Sequence, residues 1–163
     1  MLAELLTALQ NLEPVAALRA SRWVYPLVNA GHIAGIALLV GAIVPLDLRL
    51  LGAWRSVPLD LLARVLQPVA VAGLALAVLC GFLMFAVSAG KYAGLPLFWL
   101  KLGFIAAALA NAALLRLSPA WTLARLPGLP PEPPAARLKA AGALSIALWL
   151  AALLCGRFLA YIA

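Results

Sequence analysis

The sequence predicts an all-α protein: a four-helix transmembrane bundle with a short amphipathic N-terminal helix lying in the interface. Three observations predict it. Of the 163 residues, 67% are hydrophobic and 10% charged, against about 45–50% apolar and about 25% charged in a soluble domain. Mean hydropathy is +1.11, and a particle this small could not cover so much apolar surface. The apolar residues fall in continuous runs rather than alternating, which excludes a lipid-facing barrel and leaves helices that satisfy their own backbone. The same arithmetic excludes disorder, a disulfide scaffold and a soluble Rossmann or barrel enzyme. The whole chain, 1–163, reads as one integral membrane domain.

The first 22 residues form an amphipathic segment. Leu2, Leu5, Leu6, Leu9 and Leu12 recur at helical spacing, with Glu4, Thr7, Gln10 and Asn11 on the other side. That stretch is too short to span, so it is expected to lie in the interface, with packing against the bundle as the competing reading. A break is expected at Glu13-Pro14, with Pro14 opening a second short helix. Four runs then reach the roughly 20 residues that cross a hydrocarbon core of about 30 Å: residues 24–46, 65–87, 97–115 and 140–162. Between the last two, residues 118–137 hold six of the twelve prolines and predict an extended, polyproline-like tether. Small residues recur at four-residue intervals: Gly31 and Gly35; Gly73, Ala77 and Gly81; Ala152, Gly156 and Ala160. Close helix contacts are expected there, within one chain or between copies.

Twelve Lys and Arg against five Asp and Glu give +7. The basic residues lie mostly beside the apolar runs, where they meet anionic headgroups, so the charge points to a bilayer rather than to nucleic acid. The side of the membrane holding the first and third loops carries seven basic residues and the other side five, which places both termini outside. Without an early Lys or Arg the N-terminus lacks the basic region of a cleavable signal, and the first span is expected to stay as an anchor. Cys80 and Cys155 sit inside apolar runs without a Cys-x-x-Cys motif, as small hydrophobes. Trp23, Tyr25, Trp54, Trp99, Trp121 and Tyr161 fall near span ends, as an aromatic belt does.

Ionisable groups at membrane depth are the functional candidates, because inserting Arg, Lys or Asp at a helix centre costs about 2.5–3.5 kcal/mol. His32, Lys101 and Arg157 qualify. At 1.5 Å per residue they lie about 12, 6 and 8 Å inside their helices, all in one half of the membrane, and Met84 reaches the same layer. Asn29, one turn before His32, is expected to fix the imidazole tautomer. For His32 two readings stand: a histidine hydrogen-bonded across a helix interface, or a metal or heme ligand. For Lys101 and Arg157 the alternatives are an anion-holding pocket, for a heme propionate, a lipid phosphate or a quinone-like oxygen, and snorkelling to the headgroups. Asp47 is read as finishing the first span at the interface. With no acid counted inside a span, a carboxylate-coupled antiporter lacks its essential group. One His and one internal Met do not make a dedicated copper site.

The runs Asn29-Ala-Gly-His32-Ile-Ala-Gly-Ile-Ala, Pro45-Leu-Asp-Leu-Arg-Leu-Leu-Gly52 and Phe98-Trp-Leu-Lys101-Leu together resemble an uncharacterised family of small four-span bacterial membrane proteins. The match extends from Trp23 to Tyr161. That family is distantly similar to the CopD copper-resistance and HemJ protoporphyrinogen-oxidase membrane proteins. HemJ-like proteins carry a histidine early in the first span and a Lys-Leu opening the third, and His32 and Lys101 match these positions. The sequence departs from HemJ in lacking a Tyr-His at the close of the third span and in having Asp-Leu-Arg where HemJ has a Pro-Arg run. It departs from CopD in its few His and Met. The resemblance thus implies a multi-pass protein of the bacterial inner membrane that binds heme b through His32 with Lys101 and takes part in redox chemistry; Arg157, Met84 and Asn29 join that site by their depth and helix face rather than by the resemblance. A non-catalytic subunit of a membrane complex, or a homo-oligomer, is the alternative, and a small-molecule transporter or channel comes third.

Overall fold

The computed structural model describes residues 1–126 and 134–162, with the side chains of Leu2 and Ala3 left aside. Among the described residues eight helices follow one another: α1 (Leu2–Gln10), α2 (Glu13–Ala20), α3 (Val24–Leu51), α4 (Leu59–Val87), α5 (Ala89–Ala93), α6 (Pro96–Arg116), α7 (Pro119–Ala124) and α8 (Ala136–Ile162). Four of them, α3, α4, α6 and α8, are long and apolar enough to cross a membrane, as the sequence predicts. Much of the proline-rich stretch, residues 127–133, lies outside the described residues; its beginning is not extended, since Pro119 opens α7.

The N-terminal break falls where Pro14 places it, at the first turn of α2. There its missing N–H costs nothing, because the first amides of a helix have no internal partner. α2 buries Val15 and Leu18 against α4 and α3, whereas α1 rests on α5 and the end of α4 with Leu5 and Leu12 exposed.

All four spans are longer than expected, α3 and α4 the most. α3 runs on to Leu51 through Pro45, and α4 begins at Leu59, ahead of the internal Pro68. At 28 and 29 residues each is about 42 Å long, more than the hydrocarbon core requires. Burial explains the extension. Leu50, Leu59, Ala63, Trp121 and Leu138 form a core cluster at this end, and the packing of those side chains outweighs the one hydrogen bond that each proline removes. Trp121 therefore belongs to the core and not to the aromatic belt. α3 stops at Gly52, which takes a left-handed φ of 111°. The Ala53 amide donates to the Leu48 carbonyl and the Gly52 amide to that of Arg49, a helix stop that favours glycine at this position. Arg49 then ties down the following turn, its Nε donating to the Val57 carbonyl at 2.8 Å.

Within the bundle α3 packs on α4 and α8, and α8 on α6. The small residues set the distances, and they do so within one chain. A Cβ placed on Gly35 would stand 2.5 Å from the Ala77 backbone nitrogen, and one on Gly73 would stand 2.6 Å from the Leu39 nitrogen. On the other side of the bundle, Asn111 donates from its side-chain amide to the Ala141 carbonyl at 2.9 Å, pinning α6 to α8. Two open grooves lie at the Trp121 end, beside Gln67 and Arg116.

Candidate functional site

His32 sits on the α3 face that meets α4. Its neighbour there is Gly81, where an added Cβ would stand 3.0 Å from the imidazole Cε1. The sequence supplies a glycine at an α4 position where a side chain would crowd the ring. Nδ1 is 2.7 Å from the Ala77 carbonyl oxygen. A carbonyl only accepts, so Nδ1 carries the hydrogen, and in the neutral ring Nε2 keeps the lone pair. That is the arrangement of a ligating histidine: one nitrogen is fixed by a backbone acceptor and the other is left to bind. Asn29, expected to fix the tautomer, is exposed. The Ala77 carbonyl does this instead, from the neighbouring helix.

Lys101 enters the same layer from α6. Its stem lies along Gly156 of α8, where an added Cβ would stand 3.5 Å from both Cε and Nζ. The ammonium is half-buried and has no hydrogen-bond or ion-pair partner among the described residues. It stands within electrostatic reach of His32 and of the buried Cys155. Met84 is half-buried on the α4 face shared with Ala77, Cys80 and Gly81, one turn beyond the last two. The structure does not bring Arg157 to this group. Its side chain is exposed, donates to the Tyr161 hydroxyl at 2.9 Å and lies over the Tyr161 ring at 4.9 Å.

Aromatic rings close the layer on the side of the chain termini. Phe98 stacks on Phe85 with centroids 5.1 Å apart, meets Trp99 edge-on at 5.6 Å and Tyr92 at 6.1 Å. The Trp99 indole donates to the Ala93 carbonyl at 3.0 Å, fastening the short α5 to α6. Burial, and secondly the nearby Tyr25, push the Tyr92 phenol above its ordinary value, so it stays a neutral hydroxyl at physiological pH.

One group that sequence reasoning counted outside the spans lies within one. Asp47 is part of α3 and only 5% exposed. It points at α8, where the Ser145 hydroxyl faces the carboxyl and where a Cβ on Gly142 would stand 2.9 Å from the Asp47 carbonyl oxygen. Its Oδ2 has no hydrogen-bond partner. The run of leucines around it gave the helix; a signal for the buried face was the glycine and serine three apart on α8. Among the described residues no group of three His, Cys, Asp or Glu is placed to hold a metal ion.

An all-α bundle with four apolar spans and an apolar exterior defines a small multi-pass integral membrane protein. No protein-family model matches the chain, and no curated protein or solved structure is significantly similar to it.

Proposed function

We propose that the His32 and Lys101 layer binds heme b and that the protein takes part in membrane redox chemistry. The observation that carries this reading is the 2.7 Å hydrogen bond from Nδ1 to the Ala77 carbonyl, which leaves Nε2 as an oriented lone-pair donor at membrane depth. The donor set suits heme iron better than a bare metal ion, which needs three or four protein ligands. One imidazole suffices for a heme whose ring is held by apolar surface. Heme would supply one-electron chemistry there. The chain would supply the axial nitrogen of His32, the thioether of Met84 nearby, and the Lys101 ammonium as a contact for an anionic propionate. Arg157, turned to Tyr161, is not needed for that contact.

Absorption spectroscopy tests the reading. Protein from heme-replete cells, or protein given hemin, is expected to show a Soret band that His32→Ala abolishes and Arg157→Leu leaves in place. A colourless preparation that stays without a Soret band after hemin addition overturns it.

A subunit role in a membrane complex is the second reading, and one observation favours it. Gly103, Ala106, Ala107 and Ala110 follow each other along one face of α6, all exposed, with open space beside Gly103. Such a face accepts a partner helix at close range.

A further inference from the structure

The buried carboxyl at the other end of the bundle is unaccounted for by anything in the His32 layer. Asp47 is enclosed between α3 and α8, and its Oδ2 lacks a partner. The charged groups around it are all engaged elsewhere or exposed. On its own helix, Arg49 is spent on the carbonyls of Val57 and Arg55. Arg64 of α4 pairs with Asp60 at 2.7 Å, and Arg125, just beyond α7, pairs with the same carboxylate at 3.0 Å. Arg137 and Lys139 of α8 are exposed, and Asn111 of α6 is committed to Ala141. Among the described residues, no cation lies within ion-pairing distance of Asp47.

An ionised carboxylate in such a place has neither water nor a counter-charge, whereas the protonated acid is only a polar group with one neighbour unmet. A metal cation is a poor alternative occupant. Calcium and magnesium take about six or more oxygens, and here there is one carboxyl and the hydroxyl of Ser145. The ligand that one carboxyl and one hydroxyl suit is a proton. Asp47 also lies about one helical turn from the end of α3 at Leu51, so water at that membrane face is close.

We infer that Asp47 is a proton-binding site at the α3 and α8 contact, carrying a proton at neutral pH and exchanging it with water at the face of the 52–58 turn. In each exchange the O–H bond at the carboxyl breaks, the proton passes to a water molecule, and the carboxylate takes a proton back. No oxidant or reductant enters. This gives the bundle an acid within a span, the group whose absence the sequence count set against proton-coupled transport.

The chain contains only two aspartates, Asp47 and Asp60, which makes the test direct. Full-length protein with carbon-13 in the aspartate carboxyls is reconstituted in lipid, and its infrared spectrum is recorded at pH 7. One labelled carboxyl is expected to show the C=O stretch of a protonated acid and the other, Asp60 between its two arginines, the stretches of a carboxylate. Asp47→Asn should remove the acid band, and Asp60→Asn should leave it, so the assignment stands even if one variant fails to fold. Transfer to heavy water should shift the acid band. Two carboxylates at pH 7 overturn the protonated state, and an acid band that never shifts in heavy water overturns the exchange.

Discussion

Gly35 and His32 are three residues apart on one helix, and each depends on a position that has no side chain. Gly35 lets α3 approach α4 until an added Cβ would meet the Ala77 nitrogen at 2.5 Å. A backbone atom cannot swing aside as a side-chain tip can, so Gly35→Val should cost about 1–3 kcal/mol as overpacking does, or separate the helices. Thermal unfolding in detergent measures it, with Gly41→Val as the control, since nothing lies within 4 Å of a Cβ there. Equal unfolding temperatures for the two variants would contradict the close contact. His32 uses the same helix pair, with Gly81 making room for the ring and Ala77 lending a carbonyl. The depth of His32 and Lys101 was legible in the sequence because depth is a matter of counting residues along a span. The partner of Nδ1 was not legible, because a backbone carbonyl on another helix leaves no mark in residue identity. Asn29, the residue whose side chain advertised itself, is exposed instead.

At the scale of elements, continuous hydrophobicity locates the four spans and Pro14 locates the α1 and α2 break. Boundaries fared worse at the end of α3, which runs past 46 to Leu51, and at the start of α4, which begins at Leu59 rather than 65. What extends them is tertiary: Leu50, Leu59 and Ala63 are buried in one cluster with Trp121 and Leu138, far along the chain. The same extension carries Asp47 into α3. Its two neighbours in the leucine run, Leu46 and Leu48, gave the helix its apolar character, and only the placement of α8 decides that position 47 faces inward. Arg49, two residues on, is only half-buried and holds the turn through Val57. One acidic and one basic residue so close in sequence therefore do unrelated work.

For the molecule as a whole, the two ends of the bundle differ in chemistry. The end carrying the chain termini holds the His32 and Lys101 layer under its aromatic rings; the opposite end holds Asp47, the Asp60 ion pairs and the Trp121 core. By the excess of basic residues around it, the second end is expected on the cytoplasmic side. A cysteine introduced at Thr7 should accordingly react with an impermeant reagent in intact cells and one at Ser56 should not; the reverse pattern inverts the orientation. His32 is the single histidine of the chain, so nitrogen-15 NMR of histidine-labelled protein in lipid reports on its ring alone and shows whether Nε2 is free. The expected result is a neutral ring protonated at Nδ1, with a bare Nε2 signal that is lost or strongly shifted when hemin is added. A ring protonated at Nε2, or a bare Nε2 signal that hemin leaves unchanged, would contradict it.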